Sequence, residues 1–136
     1  MRSLALVLAT AAASIAAPFA GASHAMLQCK AAALPPVFMP QDGAIEGTGT
    51  FACYSGTGVT SITVCVEMQL GALGGAWYSL GCATTQGDPT SATGTVAVQP
   101  TIASGLMRTV ATGTNGTVSD TAQSAPILWV NCACAP

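Results

Sequence analysis

Two kinds of apolar pattern run along the chain, and they predict different structures. Residues 4–17 form an apolar run, interrupted only by Thr10 and Ser14, rich in Ala and Leu and free of charge. Met1 and Arg2 precede it as a short positive start, and after Pro18 come the small residues Ala20-Gly21-Ala22 and Ser23-His24-Ala25. A positive start, a short apolar core and a small-x-small cleavage site form the pattern of a secretory signal peptide. The run is shorter than the roughly 20 apolar residues that span a bilayer. Residues 1–25 are therefore expected to be a helical signal peptide cleaved after Ala25, with Ala22 as the second choice. Gln28 directly before Cys29 does not suit a lipoprotein site, and no twin-Arg pair is present.

From residue 26 onward the apolar residues alternate instead of running together. Alternation with period two, bounded by Gly, Pro, Asn and Asp, predicts half-buried strands. Residues 60–70 alternate most cleanly: Ile62, Val64, Val66, Met68 and Leu70 share one face, and Ser61, Thr63, Cys65, Glu67 and Gln69 the other. Further strands are expected at 26–33, 47–54, 76–84, 93–99, 106–114 and 127–132. Pro35 and Pro36 should close the first of these, because Pro cannot donate to a ladder. Turns are expected at 40–43, 55–58, 71–75 and 86–91. No helical period of useful length appears after the leader. Seven short strands in one domain, residues 26–136, predict an all-β, immunoglobulin-like two-sheet sandwich, with a small barrel as the alternative. Its interior should hold Phe51, Ile62, Val64, Val66, Trp77, Val96 and Val98.

Charge removes whole classes of partner. After cleavage the only basic residues are Lys30 and Arg108, against Asp42, Glu46, Glu67, Asp88 and Asp120. Two scattered cations cannot neutralise a phosphate backbone or hold an anionic membrane surface. No nucleic acid and no membrane span are expected for the mature form, which should be secreted, either free or associated with the cell wall.

The six cysteines, Cys29, Cys53, Cys65, Cys82, Cys132 and Cys134, all lie beyond the leader. An even count in a short exported chain predicts a disulfide framework. A hairpin centred on Leu73 and Gly74 would set Val66 opposite Gly81, Met68 opposite Ser79, Leu70 opposite Trp77, and Cys65 opposite Cys82. Directly opposed strand residues come within disulfide reach, so Cys65–Cys82 is the expected bridge. Cys29 and Cys53 are nearly symmetric about the turn at Gln41 and Asp42 and could join the first two strands. The four cysteines outside Cys65–Cys82 allow three connectivities, and spacing does not choose among them.

Catalytic chemistry finds little purchase. A nucleophile needs an adjacent base, and His24, the only histidine, falls in the leader. The five acids sit in turns, at strand edges or on an outer face, where solvated carboxylates are the ordinary reading. Cys132-Ala133-Cys134 has the spacing of a soft-metal or redox pair, but a structural disulfide is the expected state without a nearby His ligand. Asn115-Gly116-Thr117 matches a glycosylation acceptor, and Asn-Gly equally matches a tight turn, which is the reading adopted. Arg108 should pack its stem on the outer face of its strand. Tyr54, Tyr78 and Trp129 could form an aromatic surface, or fill the core or pair across strands. No catalytic residue, cofactor or metal is expected.

Thr-Val-Cys-Val-Glu-Met-Gln-Leu at 63–70, Trp77, Met-Arg-Thr-Val-Ala-Thr-Gly-Thr at 107–114 and a last strand ending in Cys132 resemble a group of small exported proteins of high-GC bacteria. The resemblance covers most of residues 47–132 and implies an immunoglobulin-like sandwich and export, with no activity. In that group a Cys and a Gly-x-Tyr precede the Arg-Thr; here Thr101 and Met107 stand there, so the group's disulfide pairing does not transfer. The expected function is a non-catalytic extracellular binding or cell-surface module, for an extracellular protein, glycan or small ligand. The alternative is a secreted small-ligand carrier or enzyme inhibitor.

Overall fold

A computed structural model describes residues 29–54, 58–70, 74–100 and 104–130. The expected leader, His24, residues 26–28 of the expected first strand, Cys132 and Cys134 lie outside the described residues. The described residues form eight strands: β1 Cys29–Met39, β2 Ala44–Cys53, β3 Thr60–Gln69, β4 Trp77–Gln86, β5 Ser91–Val98, β6 Ser104–Asn115, β7 Val118–Gln123 and β8 Ile127–Val130. They make two antiparallel sheets. One has the order β1-β2-β5; the other runs β4-β3-β6-β7, with β8 also paired to β6. The all-β sandwich expected from the alternation is the observed architecture.

Strand alternation builds the core directly. Ile62, Val64, Val66 and Met68 of β3 are fully buried, and Ile45 and Phe51 of β2 face them with Val96 and Val98 of β5. Met107 and Ala111 extend the same layer from β6. Side chains of one sheet fill space that glycines leave in the other. At Gly113 of β6 a Cβ would lie 2.0 Å from Cγ of Phe51, so the Phe51 ring occupies the space this glycine leaves.

Four expectations need correction. Pro35 and Pro36 do not end the first strand. They lie at a register shift between Leu34 and Val37, and β1 resumes pairing with β2 to Met39. β1 is an edge strand, where a missing N–H costs no ladder bond. Second, the chain has a strand that alternation did not mark, β7, joined to β6 by a two-residue turn at Gly116 and Thr117. Gly116 has φ 59°, the left-handed conformation such turns demand. Third, Leu70, expected on the inner face of the third strand, lies past the end of β3 at Gln69 and is exposed; residues 131 and 132 of the expected last strand lie outside the described residues.

The fourth correction concerns Trp77. Cys65 faces Cys82 and Val66 faces Gly81 as expected, but the register then shifts by one. Glu67 faces Ser79, Met68 faces Tyr78 and Gln69 faces Trp77, which leaves Leu80 without a partner. This bulge turns Leu80 against the core and sends Trp77 to the outer face, half-buried, beside Gln69. A one-residue slip exchanges the faces of every following side chain.

The framework is stapled at both sheets. Cys29–Cys53 joins β1 to β2, and Cys65–Cys82 joins β3 to β4. The open edges are stitched too. Ala31 N–H of β1 donates to Asp120 Oδ2 of β7 at 2.8 Å. An inward carboxylate on an edge strand satisfies a donor and discourages pairing with another chain.

Candidate functional site

The outer face of the five-stranded sheet carries the most organised set of polar side chains. On β3 the inner positions are apolar, so Ser61, Thr63, Cys65, Glu67 and Gln69 must point outward. The ladders then decide which residues of neighbouring strands stand beside them. Thr63 pairs with Thr84 of β4 and with Thr112 of β6, and Thr112 pairs with Thr121 of β7. One row of four threonines therefore crosses β4, β3, β6 and β7, at the roughly 4.8 Å spacing of a ladder. Thr63 and Thr84 share a hydroxyl hydrogen bond of 2.8 Å, and Thr112 and Thr121 share one of 2.9 Å. Gln86, Ser61, Thr114 and Ser119 form the next row toward the β6–β7 turn.

In the other direction the face becomes a compact charged and aromatic cluster. Arg108 of β6 directly faces Glu67 of β3. Its Nε donates to Glu67 Oε2 at 2.8 Å, and its Nη2 lies 2.7 Å from the same oxygen. Nη1 donates to Gln123 Oε1 of β7 at 2.9 Å. The guanidinium carbon sits 4.1 Å from the centroid of the Trp77 ring. Both side chains of the ion pair are largely covered, 18% and 23% exposed, so solvent weakens it less than an open surface pair. The Cys65–Cys82 bridge lies between the cluster and the threonine row, and ties down the β3–β4 hairpin that carries Trp77.

The remaining candidates lie elsewhere. Tyr54 is 96% exposed at the end of β2, next to the Cys29–Cys53 bridge. Tyr78 stands at the other end of the sandwich on β4, and Trp129 packs on Phe38 with ring centroids 5.2 Å apart. The three aromatics do not share one surface. Asn115 is buried, and its amide donates to Thr60 Oγ1 and to the Pro89 carbonyl, both at 2.9 Å. That commitment fits the turn reading and leaves its amide no room for a sugar.

The acids are equally dispersed. Asp88 Oδ1 accepts the backbone N–H groups of Thr90 and Ser91, at 2.9 and 2.8 Å, and closes the turn before β5. Those bonds, Thr90 first, hold its carboxyl below the ordinary carboxylate value. Asp120 holds β1, and Glu67 holds Arg108. Among the described residues no group of three or more His, Cys, Asp or Glu side chains could hold a metal ion. No helix of the described residues is long and apolar enough to cross a membrane. Neither a protein-family model nor a curated protein matches the chain.

Sequence reasoning placed Thr63, Glu67 and Arg108 outward one strand at a time. It did not join them, because the row exists only once three ladders are in register. It missed Thr112 and Thr121 as partners, and it placed Trp77 on the wrong face. Gly81, next to the bulge, is the nearest sequence signal: an isolated Gly inside a strand pattern marks a bulge or a close approach.

Proposed function

We propose that this chain is a non-catalytic extracellular binding module that engages its partner through the outer face of β4, β3, β6 and β7. The observation that carries the reading is the Thr84–Thr63–Thr112–Thr121 row standing beside the Arg108, Glu67, Trp77 and Gln123 cluster. These hydroxyls and amides are fixed by the ladders, so little side-chain freedom is lost when they bind. The face is close to neutral, since Arg108 and Glu67 offset one another. Its chemistry suits a hydroxyl-rich neutral ligand, such as a glycan, better than a polyanion.

Two disulfides in a small domain support an oxidising compartment and export. The strand order supports the immunoglobulin-like reading: β1-β2-β5 corresponds to the A-B-E part of one sheet, and β4-β3-β6-β7 to C′-C-F-G of the other. Phe51 against Gly113 bridges β2 and β6, where antibody domains carry their inter-sheet disulfide. The likeness to small exported proteins of high-GC bacteria belongs with this proposal.

The test is retention of the purified, oxidised chain on insoluble cell-wall polysaccharide. The unaltered chain should be retained, and Thr63→Val with Thr112→Val should reduce retention at least about tenfold while keeping strand propensity. Thr50→Val with Thr93→Val, paired on the outer face of the other sheet, should change nothing. The proposal fails if the second pair of substitutions abolishes retention and the first does not, or if the unaltered chain is not retained.

A further inference from the structure

An edge strand presents a row of backbone groups with no ladder partner, and sheets ordinarily guard such edges with charge, proline or a bulge. β1 has Pro35, Pro36 and a register shift, and its Ala31 N–H is taken by Asp120 of β7. β4 carries the bulge at Leu80. β5 has none of these: no charge, no proline and an unbroken register with β2. The phase of the ladder decides which of its groups point outward. Cys53 N–H donates to the Thr90 carbonyl at 2.8 Å, so these two residues form a hydrogen-bonded pair. Such pairs recur at every second residue, which turns the main-chain groups of Ala92, Gly94, Val96 and Val98 toward β2. The N–H and C=O groups of Thr93, Thr95 and Ala97 therefore point away from β2, and among the described residues no strand lies beyond them.

The facing sheet continues past this edge. A Cβ on Gly94 would lie 3.0 Å from Ile62 Cγ2 of β3 and 3.6 Å from Thr85 Oγ1 of β4, so β5 sits over the seam between β3 and β4. The inward residues Ile62, Val64 and Val66 of β3 are fully buried. Their partners on β4 are not: Gly81 and Ala83 are half-buried, and Thr85 is exposed. The inner face of β4 thus forms a shelf of small side chains, with the open edge of β5 as the wall above it. A strand laid against β5 would stand about 10 Å above the shelf and fill the gap with every second side chain.

We propose that this groove takes an extended, uncharged peptide segment of another polypeptide, which adds antiparallel to β5 as a further strand of its sheet. None of the six residues that line the groove is charged, so an uncharged segment is buried there without stranding a charge. Alternate residues of the segment face Gly81, Ala83 and Thr85, where the small floor leaves room for branched apolar side chains. The residues between them stand beside Thr93 and Thr95, where Thr makes favourable cross-strand pairs. Main-chain bonds to the edge supply affinity, and the fit of alternate side chains supplies specificity. A second copy of this chain does not fit. Pairing two β5 edges would drive the two β4 strands into each other, because each projects past its β5 toward the other copy. The groove uses the inner face of β4 and stands apart from the outer-face site.

The probe is a peptide in which Thr and Val alternate over the length of β5, capped at both ends, with a Lys pair after the repeat for solubility. Amide hydrogen exchange, resolved by residue, is read on the oxidised chain with and without it. In the free chain the amides of Thr93, Thr95 and Ala97 should exchange at least about a hundredfold faster than those of Gly94 and Val96, and the peptide should slow them at least about tenfold. The same peptide N-methylated at its threonines, whose N–H groups face β5, should give no protection. Thr95→Pro removes an N–H that β2 does not use, a change an edge strand tolerates, and should weaken binding at least about tenfold. Thr63→Val with Thr112→Val should leave peptide binding unchanged. The proposal is overturned if the three amides are already protected in the free chain, since a segment of the chain itself or a second copy then covers the edge. It is equally overturned if the peptide leaves them unprotected at about millimolar concentration, or if neither N-methylation nor Thr95→Pro weakens binding.

Discussion

Replacing Gly113 by Ala tests whether the contact of Phe51 with β6 sets the distance between the sheets. The added Cβ would lie 2.0 Å from Cγ, 2.1 Å from Cδ2 and 2.6 Å from Cβ of Phe51. Carbon atoms rest about 3.5–4.0 Å apart, so the ring must retreat by about 1.5 Å. Rotating the ring does not relieve the clash, because Phe51 Cβ is also too close. Phe51 is fully buried, with Ile62, Val64 and Ala111 among the core around it, so the relief must come from the sheets separating. Overpacking typically costs 1–3 kcal/mol, and three contacts this short place Gly113→Ala at about 3 kcal/mol or more. In a domain of this size that lowers the melting temperature by roughly 12–24 °C. Phe51→Ala alone should cost about 3–5 kcal/mol through the cavity it leaves. The double variant should cost less than the sum by at least about 2 kcal/mol, because the new methyl enters the vacated space. Urea unfolding of the oxidised chain and its three variants measures the cycle. A cost for Gly113→Ala below about 0.5 kcal/mol, or additive single costs, would refute the reasoning.

Two further substitutions probe polar groups in opposite situations. Thr109 Oγ1 is buried between the sheets with no hydrogen-bond partner. A buried unsatisfied hydroxyl costs about 1–3 kcal/mol, so Thr109→Val should raise stability by about 1 kcal/mol in urea unfolding; a loss would mean the hydroxyl is in fact satisfied. Asp88 is held below its ordinary pKa by the N–H groups of Thr90 and Ser91. A depressed folded value means its contribution is present above the unfolded value and is lost as pH falls through the folded one. Asp88→Asn should therefore flatten the fall in melting temperature below about pH 4, and an unchanged acid profile would count against the turn's role.

How much of the fold the sequence reveals follows from how each strand is buried. β3 alternates fully because one face meets Phe51, Val96 and Val98 while the other meets solvent. β7 does not, because its inward residues are Val118, Asp120 and Ala122, and the middle one turns inward to hold Ala31 N–H rather than to bury apolar surface. Edge strands need little hydrophobic surface, so period-two reading finds them last. β1 shows the same rule from the other side. Pro35 and Pro36 look like a stop only if the strand needs donors on both edges, and an edge strand does not. Ser124 explains why β7 and β8 are separate pieces. Its N–H donates to the Thr109 carbonyl, and its hydroxyl accepts Thr109 N–H, each at 2.9 Å. One residue thus occupies both main-chain groups of Thr109, and β8 resumes along β6 one residue out of the β7 register.

The candidate site depends on this kind of irregularity more than on any motif. Were the Cys65–Cys82 register continued without interruption, Trp77 would face Leu70 and turn inward, as the alternation alone predicts. The unpaired Leu80 reverses that outcome, and Gly81 makes it possible: a Cβ there would lie 2.8 Å from Val98 Cγ1, so β4 approaches β5 without a side chain between them. Leu80 then supplies the apolar side chain that Trp77 would have brought to the core. The tryptophan is left for Arg108, which could not rest on an inward ring. A slip of one residue therefore exchanges a core position for a position on the outer face without changing composition. For that reason the polar row and its neighbouring cluster follow from ladder register, which local sequence pattern specifies only weakly where both outer neighbours are polar.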